Sequence, residues 1–125
     1  LPGSVVGVGV DMVDVARIGD VVDRRPSFVE RILTERERAL AVSPASIAGR
    51  WAAKEAVAKV LVDTRGLEWH DCEVLRGERG EPILVVSRTV EQAAISRGIA
   101  HWHVSISHDG GMAVAFVVAS RAVTS

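Results

Sequence analysis

Glu55 and Lys59 stand one helical turn apart inside Arg50-Trp51-Ala52-Ala53-Lys54-Glu55-Ala56-Val57-Ala58-Lys59. The stretch 51–63 is alanine-rich and free of glycine and proline, which predicts a helix. At about 100° per residue its apolar side chains fall on every side, and a helix of that kind is buried. A surface Glu–Lys pair at i,i+4 is one reading of the two charges and contributes roughly 0.2–0.5 kcal/mol. In a buried helix another reading applies, because a charge there is paired, bound to a metal or shifted in pKa. Glu55 therefore needs a partner from elsewhere in the chain.

Asp11 is a second carboxylate in an informative place. It follows the β run 5–10, where Val6, Val8 and Val10 share one side and Gly7, Gly9 and Asp11 the other. Two glycines on one face imply that another backbone or a ligand comes close there. At the end of a strand, Asp11 also reads as a helix cap or turn carboxylate. Near the C-terminus, Trp102, Val104 and Ile106 alternate with His101, His103, Ser105 and Ser107, and His108 sits at the strand exit. The histidines raise the question of zinc, but Cys72 is lone and no second histidine cluster exists, so zinc is not expected. His103 reads as a half-buried strand residue. His108, beside a Gly-Gly loop, fits a binding role and a structural one equally.

The remaining elements must position these groups. Val15, Ile18, Val21 and Val22 predict a helix over 14–24, stopped before Pro26, and Phe28, Val29 and Ile32 a short one over 28–33. Thr34 with Glu37 has the form of a capping box opening a helix to Ala41. Ser43 or Ser46 caps the organising helix, and Thr64-Arg65-Gly66 breaks it. Residues 69–75 read as a half-polar strand, turned by 77–82 into a second strand at 83–86. A helix opens at Ser87 or Arg88 and closes at Gly98, and strands 101–107 and 112–119 follow around Asp109-Gly110-Gly111. The order predicts an α+β fold, an antiparallel sheet packed on a long buried helix with shorter helices.

A chain of 125 residues, 48% hydrophobic and 25% charged, reads as one globular domain over 5–120. The net charge of -1 lacks the basic signature of a nucleic-acid binder. With Cys72 alone no intrachain disulfide forms, so a reducing cytoplasm is the expected location. No apolar run reaches the roughly 18–20 residues needed to cross a bilayer, and no signal peptide is visible, so no membrane partner is expected. Leu1 to Ser4, without an initiator methionine and ending Gly-Ser, reads as a remnant of expression.

Three stretches then fall into one pattern: Gly7-Val8-Gly9-Val10-Asp11-Met12-Val13 with Arg17 beyond it, Trp51-Ala52-Ala53-Lys54-Glu55-Ala56-Val57-Ala58-Lys59, and His103-Val104-Ser105-Ile106-Ser107-His108. Together they resemble the small single-domain 4′-phosphopantetheinyl transferases, the holo-acyl-carrier-protein synthases. Residues 28–34 and the Gly80-Glu81-Pro82 hairpin also resemble that family. The resemblance implies Mg²⁺-dependent transfer of phosphopantetheine from coenzyme A to a serine of an apo acyl carrier protein. It implies Asp11 and Glu55 as metal ligands, and Lys59 beside them on the diphosphate as the third catalytic group. Arg50 and His108 are implied at the nucleotide end, while Lys54 is open to a nucleotide or a structural role. The general base is Glu55 or a water on the metal.

The family's carriers are acidic, which implies docking on Arg17, Arg24 and Arg31, with Arg25 nearby, and the family is usually a homotrimer. The chain departs from the pattern at 61–67, where many members carry a Gly-Thr-Gly-type loop; Arg65 there offers a charge in place of a glycine backbone. Two other readings stand beside the transferase. One is a carrier-binding module of the same fold without catalysis; the other is a Mg²⁺-dependent hydrolase of nucleotides or coenzyme A.

Overall fold

The computed structural model describes residues 2–123. The chain runs β1 (Pro2–Asp14), α1 (Val15–Arg24), α2 (Ser27–Ile32), α3 (Glu35–Leu40), α4 (Pro44–Leu61), a 3-10 turn (Trp69–Asp71), β2 (Cys72–Arg76), β3 (Pro82–Val86), α5 (Arg88–Ser96), β4 (His101–Asp109) and β5 (Met112–Ala122). An antiparallel sheet of order β1-β5-β4 lies against α4, and β2 and β3 form a separate antiparallel hairpin. This is the α+β arrangement expected, with α4 as the buried helix.

Small residues let α4 lie close to the sheet. Ala52, Ala53, Ala56, Val57 and Val60 of α4 share one core with Ala115, Val117 and Ala119 of β5. Gly7 and Gly9 do the same on β1: a Cβ at Gly7 would touch Val60, and one at Gly9 would collide with the backbone of Ala56. The approach that the two glycines signal is therefore that of another backbone. A second core, of Ile18, Ile32, Leu33, Ile47 and Ala48, holds α1 and α2 to the first half of α4. The Ser43 hydroxyl accepts from Ser46 N at 3.2 Å to cap α4, and Pro44 occupies its first turn.

Three local features differ from the sequence reading. β1 continues through Asp14, so Asp11 lies inside the strand rather than at its end, and the cap of α1 is Asp14, which accepts from Arg17 N at 3.2 Å. A register irregularity between Val5 and Gly7 turns Val6 into the core, whereas Val8 and Val10 face outward. Residues 69–71 form a 3-10 turn instead of strand, because the buried Lys54 ammonium gathers the carbonyls of Trp69 and Cys72 around itself. Of the four residues read as a remnant, Leu1 lies outside the described residues, and the other three belong to β1.

Candidate active site

β1 and α4, held backbone to backbone, bring two carboxylates to one place. Asp11 and Glu55 line a cavity of 410 Å³ together with Arg17 and Val21 of α1, Phe28 and Trp51. Lys59 does not pair with Glu55 one turn before it; its ammonium donates to Val10 O at 2.8 Å and to Asp11 Oδ1 at 3.3 Å. The surface Glu–Lys pair is thus replaced by a bridge from helix to strand. No ion pair among the described residues includes Glu55. Burial, and after it the charge of Asp11, raise the Glu55 pKa above the ordinary carboxylate value, against a smaller opposing pull from Lys59.

Such a desolvated carboxylate beside a second one is a place for a cation. Among the described residues no three His, Cys, Asp or Glu side chains converge as a metal cage. Mg²⁺ does not require one, since it binds through one or two carboxylates and fills the rest of its octahedron with water and substrate phosphate. The donor set fits that ion and lacks the nitrogen and sulfur ligands of a zinc site.

Arg50 lies elsewhere on α4, and His108 on β4. Arg50 is 8% exposed, donates to Val74 O at 3.0 Å and Ser46 Oγ at 2.6 Å, and lines a cleft with Arg76, Gly80, Pro82 and Ile106. Burial lowers its pKa, partly offset by Glu37 and reinforced by Arg76. Two guanidinium groups in one cleft form a place for an anion. His108 donates through Nε2 to Ala45 O, 2.9 Å away, and its ring abuts Gly49 beside Ile106. Arg76 was not singled out by sequence reasoning; its place at the mouth of the Gly77–Pro82 turn was the available signal.

Lys54 corrects the sequence reading, which left a nucleotide role open. The side chain is wholly buried against the equally buried Glu37, with 2.7 Å between Nζ and Oε1. Its remaining protons go to Trp69 O at 2.9 Å and to Cys72 O. An ammonium has three donors, all engaged here, so none is left for a nucleotide. Glu37 in turn accepts from Thr34 N at 3.1 Å, completing the expected capping box, and from Val74 N at 2.9 Å.

Glu55 also borders a second cavity, of 310 Å³, with Ala58, Thr64, Leu67 and Trp69. Trp51 packs edge-on between Phe28 and Trp69, with ring centroids 5.6 and 4.7 Å away. In the altered 61–67 segment, Arg65 is not a free charge: its guanidinium grips Asp63 at 3.0 and 2.7 Å. Arg24, Arg25 and Arg31 are exposed on α1, the turn after it and α2, and Arg24 and Arg25 border a surface hollow with Val21.

Residues 7–117 match the family model of the 4′-phosphopantetheinyl transferase superfamily. A holo-[acyl-carrier-protein] synthase of Frankia casuarinae is 55% identical over 116 residues, covering 93% of this chain and 98% of that protein. One of Leifsonia xyli is 49% identical over 117 residues, covering 94% and 98%. The solved holo-[acyl-carrier-protein] synthase of Helicobacter pylori, in complex with coenzyme A, superposes with a TM-score of 0.81 at 34% identity, over 90% of this chain and 99% of its own. That of Bacillus anthracis, in complex with CoA (3′,5′-ADP), gives 0.78 at 34% identity over 96% and 100%. With the family model spanning nearly the whole domain and relatives of this identity at full length, the chain belongs to the 4′-phosphopantetheinyl transferase superfamily.

Proposed function

We propose that this chain transfers the phosphopantetheine arm of coenzyme A to a serine hydroxyl of an apo acyl carrier protein, releasing adenosine 3′,5′-bisphosphate. The observation that carries the reading is the cavity in which Asp11 and Glu55 meet under Arg17, with Lys59 bonded to Asp11. Coenzyme A in complexes of two structural relatives supports it as donor. In the step, the serine oxygen bonds to the pantetheine-side phosphorus, and the bond from that phosphorus to the bridging oxygen breaks. The bridging oxygen leaves with the nucleotide. Glu55, its basicity raised by burial and by Asp11, is the acceptor on this chain for the hydroxyl proton. Lys59, a flexible point charge, moves from the Asp11 carboxylate to the leaving phosphate.

Asp11 and Glu55 are the residues that would hold Mg²⁺, which when bound polarises the diphosphate and offsets charge on the leaving group. Arg50, Arg76 and His108 suit the phosphate of the nucleotide end. Arg50 and Arg76 line a different cleft from Asp11 and Glu55, sharing no residue with it. That separation supports a donor held between neighbouring subunits. The outer face of the sheet supports the same arrangement, since Val8, Val10, Met12 and Phe116 are 46–61% exposed there. A homotrimer covers this face. Arg17, Arg24, Arg25 and Arg31 give an acidic carrier its docking surface beside Glu55. The lone buried Cys72 and the absence of a helix long and apolar enough to cross a membrane among the described residues agree with work in the cytoplasm.

The test is intact-mass analysis of apo carriers incubated with the chain, coenzyme A and Mg²⁺. The expected product is carrier plus one phosphopantetheine, and the expected native mass is three chains. Glu55→Gln keeps its fold and loses about a hundredfold or more of turnover, the scale on which removing a group that stabilises developing charge is felt. Full turnover in that variant ends the assignment of Glu55. Release of phosphopantetheine without any carrier instead identifies a hydrolase.

A further inference from the structure

The buried Lys54 is expensive for a residue that touches neither cavity. Moving a Lys–Glu pair out of water costs several kcal/mol per ion, and apolar replacements of such pairs are often neutral or stabilising. Stability alone therefore does not account for it. What an apolar side chain cannot do is hold carbonyl groups. The ammonium binds Trp69 O at 2.9 Å and Cys72 O, so it fixes the backbone on which the Trp69 ring is carried. That ring is a wall of the 310 Å³ cavity whose other boundaries are Glu55, Ala58, Thr64 and Leu67. Glu55 and Ala58 belong to α4, as does Lys54; Trp69 does not. Lys54 is thus the tie between the two sides of that cavity, and Glu37 neutralises it while holding Val74 N of β2.

We infer that Lys54 is a positioning residue: it clamps the Trp69–Cys72 backbone to α4 and thereby sets the width of the mostly apolar cavity under Glu55, which receives the uncharged arm of the donor. The inference rests on the proposed transfer reaction and names one determinant of donor recognition in it. Arg17 and Arg24, on the helix proposed to meet the carrier, neither line that cavity nor bond to residues 69–72. Loss of Lys54 should therefore act on the donor and spare the carrier.

The experiment compares the wild type with Lys54→Met, which keeps length and removes the three donors, and with Lys54→Met/Glu37→Gln, which removes both charges and leaves Val74 N an acceptor. Where the single variant does not fold, the double variant decides. In folded protein the expected result is a KM for coenzyme A raised at least tenfold, with kcat and the KM for carrier both within threefold of wild type. Hydrogen exchange should quicken at 69–72 while the centre of α4 stays protected. A KM for coenzyme A within twofold of wild type overturns the inference, and so does an equal rise in both KM values. A wild-type chain that transfers nothing refutes the functional reading instead, and the clamp is then decided by the exchange at 69–72 alone.

Discussion

A Cβ placed on Gly9 would lie 2.1 Å from the carbonyl oxygen of Ala56. That distance means that β1 meets α4 through main chain, with no side chain between them, two residues before Asp11 and one residue after Glu55. The spacing of the two carboxylates is thus set by the absence of one methyl group.

Gly9→Ala must push the strand off the helix, because the obstructing atoms are backbone and cannot turn away. Overpacking of this kind costs about 3 kcal/mol or more, a fall of roughly 10 °C or more in Tm for a domain of this size. Thermal unfolding followed by circular dichroism measures it. A variant as stable as the wild type would mean that β1 and α4 do not touch as described.

Glu55 makes stability depend on pH in an unusual direction for a carboxylate. Its folded pKa is raised, by burial first and by Asp11 second. Its contribution is then fully present below the unfolded value and is lost as pH rises through the folded one. Glu55→Gln should accordingly gain stability over the wild type as pH rises from 4 to 7, and lose that advantage in acid. Millimolar Mg²⁺ should stabilise the wild type at pH 7 and leave the variant unmoved. Denaturant midpoints at the two pH values, with and without Mg²⁺, check both statements, and a variant less stable than wild type at pH 7 contradicts them.

Much of the fold is legible because its signals are local. Thr34 and Glu37 announce a capping box three residues apart, and it forms. The alanines of α4 and the glycine pair of β1 each announce close packing, without naming the partner. What escapes a reading of the sequence is carried by contacts distant along the chain. The capping-box Glu37 is ordinarily a solvent-facing residue, and nothing nearby in sequence reveals that Lys54 is its partner. The same lysine converts an alternating segment at 69–71 into a 3-10 turn. Lys59 looks like the partner of Glu55 at i,i+4, yet finds Asp11 across the helix–strand seam. The carboxylate pair itself was legible only through resemblance to a family, since spacing along the chain cannot bring residues 11 and 55 together.

Val62 follows α4 with φ 69° and ψ −60°, and Asp63 N donates to Leu61 O at 2.8 Å around it. This is a γ-turn of the strained, positive-φ kind, built on a β-branched residue for which that region is an outlier. The side chain is 71% exposed, so little packing compensates. Val62→Gly should therefore stabilise the chain by about 1 kcal/mol, the strain relieved less the backbone entropy that glycine gives up. A rise in Tm of about 4 °C is the expected reading; a fall would show that the valine side chain contributes more than its exposure suggests.

Cys72 offers a probe of opening that leaves the active site untouched. The thiol is 3% exposed, and burial pushes its pKa up to about 12, with only partial relief from Lys54. Only the thiolate reacts with an alkylating reagent. At pH 8 that form is then about one part in ten thousand, and it is shielded from the reagent as well. The native chain should resist iodoacetamide for hours and label within minutes once denatured. Any labelling in native buffer must pass through an opened state, so its rate should rise in Gly9→Ala and fall in Val62→Gly. Labelling of the native protein at the speed of a free peptide thiol would place Cys72 at the surface, and with it the β2 backbone that Lys54 holds.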